Sequence, residues 1–178
     1  MAVRHASSRG SFPSMGDFND LLEANDLYAE TFSDGGFDGI AKAGVLVITC
    51  MDSRIEPLGM LGLKLGDAKI LRSPGGRVTP DVLTGCIVGS HLLNVNRIMV
   101  VQHTRCAMAS GTDAEVADKI IESSKMDLRG MTFGANPDQD RTLDFDVRLL
   151  KTHPAIKPRT KIGGFIYDVD SGKLAHVY

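Results

Sequence analysis

Two short apolar runs, Val45-Leu46-Val47-Ile48-Thr49 and Ile98-Met99-Val100-Val101-Gln102, constrain this chain more than any other feature. Both are rich in β-branched residues, and the first is bounded by Gly44. Continuous runs of this kind suit strands covered on both faces in a parallel sheet, because a half-exposed strand would alternate apolar and polar residues. Each run stops at a residue with chemistry to offer, Cys50 after the first and His103 after the second. In open α/β sheets the ligand lies beyond the carboxyl ends of the strands, which is where these two side chains fall.

The remaining segments fit around those runs. Phe18, Leu21, Leu22, Tyr28, Ala29 and Phe32 recur at helical spacing and predict an amphipathic, buried helix from Ser14 or Asp17 to Phe32. Pro57 opens a short helical turn reaching about Leu61, and Lys69 to Arg72 reads as a second strand closed by Ser73-Pro74-Gly75-Gly76. Thr79-Pro80 predicts a cap and a largely buried helix to about Leu93, with Gly85 and Gly89 permitting close approach to the sheet. Thr112 and Glu115 have capping-box spacing for a helix to about Ser124. Asn136-Pro137-Asp138-Gln139 reads as a second such start, for a helix ending at His153-Pro154. Gly164 to Val169 and Leu174 to Val177 read as a strand, a turn and an edge strand. The expected class is α/β, with a mainly parallel central sheet flanked by helices and a C-terminal edge strand.

A chain of 178 residues with 43% hydrophobic content supports one domain spanning 1–178, and the polar, punctuated residues 1–13 read as a flexible arm. A net charge of −2 without long runs of like charge argues against a nucleic-acid partner. No stretch approaches the roughly 18 apolar residues of a membrane span, and residues 1–14 lack the apolar centre of a secretory signal. Three cysteines give no disulfide framework. A soluble, cytoplasmic protein in a reducing compartment is expected.

Cysteine and imidazole are ligands that zinc prefers, and His103-x-x-Cys106 lets two of them reach one ion from a single turn. Taken singly, a cysteine ending a strand is commonly a small buried hydrophobe. Together, Cys50, His103 and Cys106 favour a zinc site, and three protein ligands rather than four leave one position open for chemistry. Cys86, inside a hydrophobic helix, reads as a packing residue. Asp52 and Arg54 stand two apart, so an extended segment would turn them to one side and pair them. That pair is either a loop-stabilising salt bridge or, beside a metal, a carboxylate that orients metal-held water or takes the fourth position itself.

Cys50-x-Asp52-x-Arg54 followed by His103-x-x-Cys106, with a glycine-rich loop after Arg72 between them, resembles the β-class carbonic anhydrases. The likeness covers roughly residues 43 to 110, with a continuation near Phe165 to Asp168. It implies a Zn2+ enzyme whose metal is held by Cys50, His103 and Cys106, with Asp52 and Arg54 as a catalytic dyad. It also implies reversible hydration of carbon dioxide to bicarbonate and a proton, and assembly as a homodimer or homotetramer. His91, His153, His176 and Tyr167 are the candidates for carrying the proton away.

The likeness stops short of the substrate contacts. Members commonly carry Arg-Asn-Ala-Gly-Asn where this chain has Arg72-Ser73-Pro74-Gly75-Gly76, and a glycine where it has Ala107. Many also use an upstream glutamine, and none precedes Gln102 here. A carbonyl sulfide or carbon disulfide hydrolase on the same scaffold is therefore one rival. A non-catalytic zinc protein, in which Asp52 closes the fourth position, is the rival from another class, and the intact Arg54 counts against it.

Overall fold

The structure, a computed structural model, describes residues 18–178, so the arm expected over residues 1–13 lies outside the described residues. The chain divides into two compact units, one ending at Gly36 and the other Phe37–Tyr178. The first contains helix α1, Asn19–Glu30, which stops short of the expected end at Phe32, while the expected start at Ser14 or Asp17 lies outside the described residues. Its expected burial is not met: none of its residues is buried, and Leu21, Leu22 and Leu27 are exposed. Helical spacing reports an apolar face but not what that face meets.

The second unit is built on strands β1 (Val45–Cys50), β2 (Ala68–Ser73), β3 (Arg97–His103), β4 (Lys161–Tyr167) and β5 (Leu174–His176). They lie in the order β2-β1-β3-β4-β5, the first four parallel and β5 antiparallel at the edge. This is the expected mainly parallel α/β sheet with a C-terminal edge strand. All six residues of β1 are buried, as its unbroken apolar run requires. Because successive side chains point to opposite faces, Leu46 and Ile48 join one core with Ile98 and Val100, while Val45 and Val47 join another with Val101. Each such fully buried branched side chain contributes roughly 1.5 to 3 kcal/mol.

Helices α2 (Pro80–Leu92), α3 (Asp113–Ser124) and α4 (Gln139–Thr152) complete the unit. Thr79 caps α2 by accepting from the Val82 amide, and Thr112 and Glu115 form both halves of the predicted capping box. α2 is not buried all round: Val82 and Cys86, one turn apart, are covered, whereas Leu92 is 74% exposed. Close approach at its glycines is real, since a Cβ on Gly89 would lie 3.0 Å from Leu46 Cδ1. α4 buries Leu143, Val147 and Leu150 at helical spacing. Its cap is Asp138, whose carboxylate accepts from the Arg141 amide at 3.1 Å. Asn136, expected to open that helix, is instead completely buried.

Pairing sets the position of the site. β1 and β3 are adjacent and parallel, with Thr49 opposite Val101, so Cys50 and His103 leave the sheet at the same edge. β2 pairs on the other side of β1, with Ser73 opposite Cys50, and brings the Pro74–Gly76 turn to that edge.

Candidate metal centre

Cys50, His103 and Cys106 converge, all three buried, with their ligand atoms within 4.8 Å of one another. The two sulfurs are 4.0 Å apart. Tetrahedral zinc with Zn–S near 2.3 Å places two sulfurs about 3.8 Å apart, so the pair is spaced for one ion. The His103 Nδ1 lies 2.9 Å from the Thr104 carbonyl oxygen and donates to it. That bond fixes the tautomer and leaves Nε2 an acceptor facing the sulfurs. Nε2 is buried and has no hydrogen-bond partner among the described residues, which is costly for folding and useful for a metal. The donor set fits zinc on all three counts.

The three groups also act on one another's protonation. The Cys106 thiol beside Cys50 draws Cys50 down to about 4 against its burial, helped by His103 and by the amides of Asp52 and Gly75. Cys106 is pushed up correspondingly, chiefly because it holds the shared proton against Cys50. Burial disfavours a charged His103, but contact with Cys50 outweighs it and raises the ring above its ordinary value. The three groups are therefore coupled, and a cation bound among them displaces their protons.

Asp52 and Arg54 do pair, although not through an extended segment. The chain turns here: the Asp52 carboxylate accepts from the Arg54 amide at 2.9 Å, and the Ile55 amide donates to the Asp52 carbonyl at 3.2 Å. From that turn Arg54 grips the carboxylate with two bonds, Nε to Oδ1 at 2.9 Å and Nη2 to Oδ2 at 2.7 Å. This fork holds Asp52 well below the usual carboxylate range. Oδ2 also lies 3.9 Å from His103 Nε2, so the carboxylate looks toward the cluster. Arg54 donates further to the Arg105 carbonyl at 3.2 Å, tying the turn to the His103–Cys106 loop.

Side chains beyond the motif hold the frame. Arg72 donates to the carbonyls of Asp52 and Ile55 at 3.3 and 2.6 Å, and so pins the turn from β2. The Thr104 amide donates to Tyr167 at 2.9 Å, and Arg105 pairs with Asp170. Gly76 has a left-handed backbone, and a Cβ there would lie 2.8 Å from Val101 O and 3.2 Å from Cys50 N. The glycines were legible as a turn; only the fold shows that the turn is wedged between the β1 and β3 ends. Gly76→Ala is expected to cost about 1 to 2 kcal/mol from its backbone conformation alone, and to reduce zinc retention by displacing Cys50. Unchanged thermal stability together with unchanged zinc content would show that the loop adapts.

The cluster opens onto a cleft of about 420 Å³. Asp52 and Arg54 line it, and Met51, Pro74, Ala107 and Met108 supply its apolar lining. Of the four proton-carrier candidates, only Tyr167 packs against Cys50, Ile55 and Cys106. His91 contacts the Ala155 carbonyl, His153 caps the end of α4, and His176 stacks on Phe165.

A family model for carbonic anhydrase matches residues 45–174, from the first residue of β1 to the first of β5, and so includes Cys50, Asp52, Arg54, His103 and Cys106. The chain belongs to the β-class carbonic anhydrase family. It is 29% identical over 159 residues to β-carbonic anhydrase 1 of Mycobacterium tuberculosis, covering 89% of this chain and 96% of that protein. It is 27% identical over 163 residues to a carbon disulfide hydrolase of Acidithiobacillus thiooxidans, covering 78% and 75%. The crystal structure of carbonic anhydrase from Streptococcus mutans superposes with a TM-score of 0.85 at 34% identity, covering 93% of this chain and 99% of that one.

Proposed function

We propose that this member of the family catalyses the reversible hydration of carbon dioxide to bicarbonate and a proton, with Zn2+ held by Cys50, His103 and Cys106. The observation that carries this reading is a buried Cys-His-Cys cluster whose one unpartnered nitrogen is faced by an arginine-held carboxylate. Zinc, when bound there, supplies a Lewis acid that lowers the pKa of a water it holds from about 15.7 to around 7.

The chain's own residues do the rest. Arg54 keeps Asp52 ionised, so at neutral pH the carboxylate accepts a hydrogen bond and does not donate one. Asp52 therefore accepts a hydrogen bond from the attacking water, and that bond turns a lone pair of the water oxygen toward the substrate. Both carboxylate oxygens are engaged by Arg54, which opposes a swing into the fourth ligand position and weighs against the non-catalytic reading. Met51, Pro74, Ala107 and Met108 suit an uncharged linear molecule and offer little to retain an anion.

The same walls suit carbonyl sulfide and carbon disulfide, and the similarity to a carbon disulfide hydrolase gives that reading a specific support. A paired assay separates the two. Zinc-loaded protein is expected to hydrate carbon dioxide in stopped flow at pH 8.5, faster than it releases sulfide from either sulfur gas. Sulfide release exceeding hydration reassigns the substrate, and the absence of both activities overturns the catalytic reading. Asp52→Asn is expected to lower kcat about 10- to 100-fold with zinc content unchanged; a wild-type rate would remove Asp52 from the mechanism.

The working form in this reading is a cytoplasmic homodimer or homotetramer. Support comes from α1, which carries Leu21, Leu22, Leu27 and Tyr28 exposed although a helix of its length depends on packing. Light scattering is expected to return two or four times the chain mass, and Leu22→Glu to lower it; a monomeric wild type would refute the assembly. Among the described residues no helix is long and apolar enough to cross a membrane.

A further inference from the structure

Asn136 sits outside every motif of the site, yet it touches the segments that carry all three proposed ligands. It is completely buried. Its backbone amide donates to the Met108 carbonyl at 2.7 Å, which closes the loop that begins at Cys106. Its side-chain Nδ2 donates at 3.3 Å to Oε1 of Gln102, the buried residue immediately before His103. Its Oδ1 faces Gly75, where a Cβ would lie 3.2 Å away, in the turn whose next residue, Gly76, is packed so closely that a Cβ there would lie 3.2 Å from the Cys50 amide nitrogen.

The direction of this network follows from its far end. Thr142 Oγ1 donates to the Asp138 carbonyl at 3.0 Å, which can only accept, so it receives Gln102 Nε2 at 3.5 Å. Gln102 must then present Oε1 to Asn136, and Asn136 must turn its own oxygen toward the Gly75 turn. That oxygen has no hydrogen-bond partner among the described residues. A buried acceptor without a donor weakens folding, and a matched apolar pair at 102 and 136 would serve the core better. One turn further on, Gln139 Nε2 donates to the His103 carbonyl at 3.0 Å, so the start of α4 holds the β3 end a second time.

We propose that Asn136 is a positioning residue that sets the separation of Cys50 and Cys106, by clamping the Met108 loop and the Gly75 turn against Gln102. The proposal rests on the zinc reading above. Its logic is that of the outer contacts that orient metal ligands, whose loss weakens metal binding about 10- to 100-fold.

The test uses full-length wild type, Asn136→Ala and the double variant Asn136→Leu/Gln102→Leu. Each is assayed for zinc release to a chelator, for the thiolate-to-cobalt absorption of the Co(II) form, and for metal-free thermal stability. Asn136→Ala is expected to lose zinc about 10- to 100-fold faster and to shift the cobalt band. The double variant, with both polar partners replaced, is expected to recover metal-free stability without recovering zinc retention or the band. If it recovers all three, or if Asn136→Ala releases zinc within twofold of wild type, Asn136 is a packing residue and the proposal falls. If wild type itself binds no zinc or cobalt, the zinc reading fails and takes the proposal with it. Asn136→Ser carries the same readings should the alanine variant not fold.

Discussion

Cys106→Ser is expected to empty the proposed metal site while leaving the fold intact. Serine is close in size to cysteine, and Cys106 belongs to a small cluster with Cys50 and Ile55 rather than to either core of the sheet. Its hydroxyl, however, does not ionise at neutral pH and is a poor ligand for a borderline-soft ion. Structural zinc bound by four ligands gains about 10 to 16 kcal/mol, so one ligand's share is about 2.5 to 4 kcal/mol. That share corresponds to about two to three powers of ten in Kd. Metal analysis should show zinc falling from one ion per chain to a small fraction, with hydration at background and an unchanged far-UV spectrum. Full zinc content in folded Cys106→Ser would refute the ligand assignment.

The second large effect is on stability and lies away from the cluster. Asp146, on α4, is completely buried and accepts three hydrogen bonds. They come from Arg77 Nε at 2.7 Å, Arg77 Nη2 at 3.2 Å and the Val78 amide at 3.2 Å. This ion pair ties the segment after Gly76 to α4. Asp146→Ala strands a largely buried guanidinium and a buried amide, which costs about 3 to 5 kcal/mol. At about 2 to 4 °C per kcal/mol for a chain of this size, Tm should fall by about 6 to 20 °C. Replacing both partners, Arg77→Met with Asp146→Leu, is expected to restore most of it, because an apolar pair carries no desolvation cost. A fall of under about 2 °C in the single variant would mean that water already serves these groups.

These two cases divide along what is readable in one dimension. The strands β1 and β3 were legible because a buried parallel strand must be apolar throughout, and the capping box at Thr112 because its bonds span three residues. Cys50, His103 and Cys106 were legible as a set because metal chemistry restricts ligand types and one spacing is local. Asn136 carries a local helix-start signal, but its long-range contact to Gln102 prevails and Asp138 takes the cap. Arg77 and Asp146 were not legible, because nothing in either neighbourhood marks them as partners across α4 and the β2 exit.

Sequence by itself determined the type and order of the elements, the Cys-His-Cys set and the neighbouring Asp52 and Arg54, because the element signals are periodic or local and metal chemistry restricts which side chains can serve as ligands. Only the tertiary structure decided that β1 lies between β2 and β3, which brings Cys50 and His103 to one edge. It alone turned Asp52 toward His103, seated Gly76 against the Val101 and Cys50 backbone, and buried Asn136 behind the site. Those outcomes depend on which strands pair and which loops pack together, and such choices are made by burial summed over the whole sheet rather than by any short stretch of chain.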